Sequence, residues 1–266
     1  MLKNLFKKFW SSGIFVKAGL ILTIPVIGFC FYSGLSPVAG FKELRELAEA
    51  DKGYQERYDS VFNSSSLKTL IREKTYKKAL VKISDNDSIC LQINLHDSLA
   101  SLSINGVIID RANITGMKID HLLQGLPNLT YMKLFSEPSR VNKNNATIKK
   151  EPIVVHKAPK DTVEALNQIF QPDTLIQDPV FVEMKLDHKI EIIFEQDSTP
   201  SFKEKKDHIL FRSKILLREL TGNIADFIRF KKPEYIFKIV IRLPAADLSE
   251  IYRALPDKGL VVIRFP

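Results

Sequence analysis

The chain has 266 residues, 45% apolar and 26% charged, which excludes a disordered or collagen-like polypeptide. Its formal charge is +8, but Lys3, Lys7, Lys8 and Lys17 supply half of it; from residue 42 onward 35 basic residues stand against 31 acidic ones. That mild, dispersed excess does not point to nucleic acid, and two cysteines, Cys30 and Cys90, exclude a disulfide framework.

Ala18 to Phe41 carries no charge and is long enough to cross a bilayer. Pro25, Gly19 and Gly28 within it weaken a soluble helix but are tolerated in a bilayer helix. Four lysines precede or enter the run, and no acidic residue appears before Glu43. The asymmetry predicts an uncleaved signal-anchor, with residues 1–17 a cytoplasmic basic segment, 18–41 the transmembrane helix, and residues after 42 exported. Cleavage after Ser36 leaves Pro37 next to the cut, cleavage after Ala39 puts Pro37 at the −3 position, and Phe29 before Cys30 is too bulky for a lipidation site. The expected location is the inner membrane of a bacterium, with a periplasmic C-terminal domain. Asn63, Asn113, Asn128 and Asn145 each begin an Asn-X-Ser/Thr sequon, read as chance in an asparagine-rich chain.

Residues 42–82 read as a helical stalk. Phe41, Leu44, Leu47 and Ala48 predict one helix to about Tyr58, Asn63 to Ser66 break it, and Leu67 to about Val81 forms a second. From Ser88 the period becomes two: Ile89, Leu91, Ile93 and Leu95 mark a half-buried strand, and Ala100, Leu102 and Ile104 another. Asn105-Gly106 predicts a tight hairpin into Val107-Ile108-Ile109. Ile119 to Gln124 reads as a short helix closed by Gly125, followed by an apolar strand from Leu129 to Phe135.

The spacing then recurs. Asp178 to Leu186 repeats the pattern of Asp87 to Leu95 at an offset of 91, and Ile251 to Pro256 that of Leu122 to Pro127 at an offset of 129. The difference of 38 residues predicts an insertion at about 196–234, holding an amphipathic helical stretch from Ile209 to Phe230. The fold expected is therefore α/β of the α+β type. A β-β-β-α-β unit with antiparallel hairpins is duplicated, with residues 83–175 the first copy and its connector and 176–266 the second. In the connector, Ile153-Val154-Val155 reads as a strand, and Asp161 with Glu164 as the capping box of a helix from Val163 to Phe170.

Motifs for chemistry are absent. The five histidines, His96, His121, His156, His188 and His208, are scattered and read as turn or surface residues, with no metal-ligand spacing. There is no phosphate-binding glycine loop and no Gly-x-Ser-x-Gly elbow. Cys90 reads as a buried strand cysteine, since His96 lies about 20 Å further along an extended chain at roughly 3.3 Å per residue. No cofactor is implied.

Leu91 to Val107, Leu-Gln-Ile-Asn-Leu-His-Asp-Ser-Leu-Ala-Ser-Leu-Ser-Ile-Asn-Gly-Val, resembles the opening hairpin of L,D-transpeptidase catalytic domains. The nucleophile of that family comes from a Ser-His-Gly-Cys-x-Arg motif, which has no counterpart here. Without that motif the resemblance implies no transpeptidase reaction; the alternative expectation is an envelope enzyme acting on cell-wall or surface polymer, with catalytic residues assembled from distant positions. The residues themselves favour a non-catalytic binding or scaffolding domain that meets an envelope partner or a second copy of the chain. The candidate recognition surface is the proline-flanked basic strand containing Lys149, Lys150, His156, Lys157 and Lys160.

Overall fold

The computed structural model describes residues 13–49, 65–150, 179–198 and 201–266. Two compact units are formed, one from Met1–Ala50 with Arg212–Ile236, the other from Asp51–Phe211 with Phe237–Pro266.

The first unit is built on helix α1 (Gly13–Glu49), which contains Pro25 and Pro37. It runs unbroken through Phe41, where composition changes from apolar to charged, so the apolar run and the start of the expected stalk are one helix. Thr23–Leu44 is long and apolar enough to cross a membrane, with a mean hydropathy of 1.5. The rest of this unit comes from the second part of a long helix, identified below as α5.

The second unit is a nine-stranded mixed sheet with helices. Helix α2 (Ser65–Ser84) precedes β1 (Cys90–Asn94), β2 (Leu99–Ile104), β3 (Val107–Asn113) and β4 (Gly116–Ile119). Two short helices, α3 (His121–Gln124) and α4 (Asn128–Phe135), lead to β5 (Ser139–Ala146). After the segment that is not described come β6 (Phe181–Leu186), β7 (Ile190–Gln196), α5 (Phe202–Ile228), β8 (Phe237–Leu243), α6 (Ala245–Ala254) and β9 (Leu260–Arg264). The spatial order is β3-β2-β1-β9-β5-β6-β7-β8-β4. Two neighbouring pairs are parallel, β1 with β9 and β7 with β8; the remaining pairs are antiparallel.

Local chemistry accounts for most of these elements. Asn105 and Gly106 both take positive φ, 49° and 76°, as a type I′ turn requires, and they join β2 to β3 as the dipeptide predicts. Helix α2 buries Tyr76, Ala79 and Ile83, spaced three and four apart, against Cys90 and Val262. It is thus part of the core of the sheet-bearing unit. Strands β6, β7 and β8 turn Val182, Met184, Leu186, Ile190, Ile192, Phe194, Ile239, Ile241 and Leu243 to one face, each no more than 4% exposed.

Two expectations are corrected. Leu129 to Phe135 is helix α4 rather than a strand. Its buried Asn128, Tyr131, Leu134 and Phe135 recur every three or four residues, and Pro127, at φ −58°, presets the entry. Strand β5 carries no apolar alternation, Val141 being its one large apolar side chain, and β4 is four residues long, so both rest on pairing with distant strands. The two hairpins expected to be equivalent also sit in different surroundings. Strand β1 is flanked by antiparallel β2 and parallel β9, whereas β6 is flanked by antiparallel strands on both sides. Leu126-Pro127 leads into a helix and Leu255-Pro256 into strand β9, so strand order and direction do not repeat. The expected strand at Ile153–Val155 and helix at Val163–Phe170 lie outside the described residues.

Candidate functional site

Of the basic recognition strand, Lys149 and Lys150 are described; His156, Lys157 and Lys160 lie outside the described residues. Lys149 is exposed. Lys150 is engaged at the C-terminal end of α6: Nζ donates to the Leu255 carbonyl at 2.6 Å and to Asp257 Oδ1 at 2.9 Å, and lies 5.1 Å from the centre of the Tyr252 ring. Asn144 Nδ2 donates to the same Asp257 oxygen at 3.1 Å. The Lys150 and Asn144 hydrogen bonds hold the Asp257 carboxyl below the usual range. A lysine placed on a helix-terminal carbonyl, where the helix dipole is negative, is a fastener of the fold.

A second constellation forms where the parallel strands β1 and β9 end together. Asp97 lies 2.7 Å from His96 Nδ1, accepts from Asn94 Nδ2 at 2.7 Å, and meets the Arg264 guanidinium at 3.5 Å. These partners, the His96 hydrogen bond foremost, depress the Asp97 carboxyl. Behind it, the buried Tyr131 hydroxyl accepts from the Phe265 amide at 3.3 Å, and the Arg72 guanidinium lies 5.3 Å from its ring centre while donating to the Gln124 carbonyl. Burial pushes the phenols of Tyr76 and Tyr131 up to about 12. Both are therefore neutral at physiological pH and cannot act as bases.

The third constellation was hidden in the sequence. On the face of β6, β7 and β8 opposite the apolar one, Glu183, Glu191 and Glu195 are at most 2% exposed. Lys185 Nζ lies 3.7 Å from Glu183 and 3.3 Å from Glu191. Glu195 meets His208 Nε2 at 2.9 Å and Arg242 Nε at 3.6 Å. The His208 ring stacks on Phe181 at 4.9 Å, and Phe211 stacks on the same ring at 5.7 Å. His208 is thus a packed residue of α5 holding a buried glutamate, not the turn or surface residue expected. Paired buried charges of this kind resist removal of one partner more than they add to stability.

The Cys90 thiol is fully buried, contacts the Ser88 carbonyl at 3.4 Å and is pushed up by burial, so it stays protonated. His96 and His188 lie in turns and His121 opens α3. Among the described residues no three His, Cys, Asp or Glu side chains are grouped to hold a metal ion. The sequence carried no signal for Arg264 or Tyr131, whose partners come from distant segments. The glutamates left one: Glu191 and Glu195 stand four apart, on one face of a strand that, Gln196 aside, is otherwise isoleucine and phenylalanine. No protein-family profile, curated protein or solved structure matches the chain.

Proposed function

We propose that this is a single-pass membrane protein of a bacterial envelope, with its N-terminus cytoplasmic, whose exported α/β domain works by contact with a partner rather than by catalysis. The observation carrying the anchor is that α1 leaves apolar side chains before Tyr32 uncovered: Ile24, Val26 and Phe31 are 62%, 54% and 72% exposed. An apolar helix with so much of its surface unburied needs a non-aqueous surrounding. The four lysines on its short flank favour the N-in orientation.

Contact rather than catalysis is supported by the protonated, buried Cys90 and by carboxylates engaged in ion pairs, Asp97 with Arg264 and Glu195 with Arg242. The sheet also offers a surface. Strand β3 is at one end of the strand order, and its Val107, Ile108 and Ile109 are 64%, 39% and 52% exposed. Soluble domains blunt such edges, and an unblunted one accepts an added strand. Fusions after Pro266 test the topology: a reporter active only outside the cytoplasm is expected to work there, and activity of a cytoplasm-only reporter overturns the orientation.

A further inference from the structure

In the unit built on α1, one side of this helix is covered by residues 227–235. The Phe227 ring packs 5.8 Å from Phe29 and 5.4 Å from Tyr32. A Cβ at Gly28 meets Phe227 at 3.2 Å, and a Cβ at Gly40 falls 2.8 Å from Tyr235. Ser36 Oγ donates to the Glu234 carbonyl at 2.6 Å. From Gly28 to Gly40, about 18 Å of helix at 1.5 Å per residue, α1 therefore has a neighbour that includes Arg229, Lys231, Lys232 and Glu234. Hydrocarbon does not accommodate such a segment. Apolarity alone allows a span of Thr23–Leu44, but this neighbour moves the outer boundary back toward Tyr32. Gly13 to Tyr32 is helical throughout, and a stretch of roughly 20 residues suffices to cross.

The tip of α5 lies at that boundary and is built oddly for a soluble helix end. The Lys231 amide closes on the Asp226 carbonyl at 2.9 Å and the Phe230 amide on Phe227 at 3.1 Å. Phe230 sits between them at φ +53°, the left-handed position where glycine is favoured. Its ring is 95% exposed, so packing within the chain does not repay the strain. Leu216, Leu220, Ile224 and Ile228, spaced four apart, are 56%, 48%, 44% and 67% exposed. Lys214, Arg218 and Arg229 occupy the other side by their spacing. Between Arg212 and Ile236 six basic residues stand against three acidic ones.

We propose that this tip is a second membrane contact: an interfacial element that seats Phe230, Ile228 and Ile224 at the headgroup boundary beside Tyr32, with Arg229 and Lys232 on anionic lipid. An aromatic residue among lysines on an amphipathic helix is the composition such an interface takes. Continuity with the contact to α1 and the charge asymmetry favour a bilayer over a second copy of the chain. The inference rests on the membrane reading above, and its test separates the two.

The full chain, with its single tryptophan replaced (Trp10→Phe), is reconstituted into vesicles of three parts zwitterionic to one part anionic phospholipid containing brominated lipids. Phe230→Trp and, separately, Phe31→Trp then report contact with lipid. Both are expected to be quenched, Phe230→Trp more by shallow than by deep bromines. Omitting the anionic lipid is expected to reduce quenching of Phe230→Trp at least about twofold and to leave Phe31→Trp unchanged. Quenching of Phe31→Trp alone, with Phe230→Trp open to iodide, overturns this inference and leaves the anchor standing. Absence of quenching at both positions overturns the anchor and this inference with it. Shielding of Phe230→Trp from both lipid bromine and iodide overturns it in favour of a protein cover. In detergent, Phe230→Gly is expected to keep or raise the melting temperature; a lowered value shows that the ring packs within the chain and also overturns the proposal.

Discussion

Replacing Tyr131 by phenylalanine should destabilise the protein at neutral pH and stabilise it in alkali. The Tyr131 side chain is fully buried. Its hydroxyl accepts from the Phe265 amide, and its ring packs against Phe135 and Phe265 at 5.0 and 5.9 Å. Phenylalanine keeps the packing and leaves that amide without its acceptor, a loss of about 1 kcal/mol. Burial is the leading cause that raises the phenol from 10.0 to about 12, with the Phe265 hydrogen bond and Arg72 pulling the other way. A group whose folded value is raised contributes stability that is complete below the unfolded value and lost as pH rises through the folded one. The wild-type chain should therefore lose on the order of 3 kcal/mol between about pH 10 and pH 12 through this residue alone. Tyr131→Phe loses none of it, so the order of stability should reverse near about pH 11. Urea denaturation of the full chain in mild detergent, followed at pH 8 and pH 12, measures both differences. Tyr76, also raised to about 12, is present in both proteins and cancels. A variant less stable than wild type by the same amount at both pH values would refute the buried, neutral phenol.

Two further outcomes follow from the same kind of reasoning. Asp257 is depressed by Lys150 and Asn144, so its contribution is present above the ordinary aspartate value of about 3.9 and fades as pH falls below it. Asp257→Asn should cost less than about 1 kcal/mol at pH 7, because the pair is partly exposed, and nothing near pH 2, read by paired urea titrations. In Cys30→Ser protein, Cys90 should react with a thiol reagent only as fast as the sheet opens, since it is buried and protonated; rapid native-state labelling at pH 8 contradicts its placement.

Where sequence and structure agree, the residues carry their own instructions. Asn105-Gly106 needs no distant partner to form its turn, and Ile89, Leu91 and Ile93 declare a strand by alternation. Where they differ, the deciding partner lies far along the chain. Leu129 to Phe135 offers apolar residues dense enough to satisfy either period. The helix is chosen because Tyr131, Leu134 and Phe135 together fill the space beside α2 and Phe265. Strand β5 has almost no apolar content, yet it holds a central place because β6 and β9 bond it from either side. The polar sites were illegible for a related reason. Asp97 meets Arg264, and Lys150 meets Asp257, across more than a hundred residues. No spacing rule reaches so far.

Helix α5 shows most clearly how one periodic stretch can hold two separate instructions. It is the crossover between parallel β7 and β8, each seven residues long. Seven residues of strand extend about 23 Å, and a helix covers that distance in about 15 residues. Helix α5 has 27. Its first part, to Phe211, belongs with the sheet, where His208 and Phe211 pack on Phe181 above Glu195. Its later part, from Arg212, belongs with α1. The apolar positions accordingly fall on two sides: Phe211 and Ile215 are buried, whereas Leu216, Leu220 and Ile224 are exposed. Read as one amphipathic stripe from Ile209 to Phe230, the sequence averages the two and hides the boundary between them. The crossover also explains why glutamates survive on a buried strand face. A covering helix that brings His208, beside a neighbouring strand that brings Arg242, supplies partners for the Glu195 carboxylate.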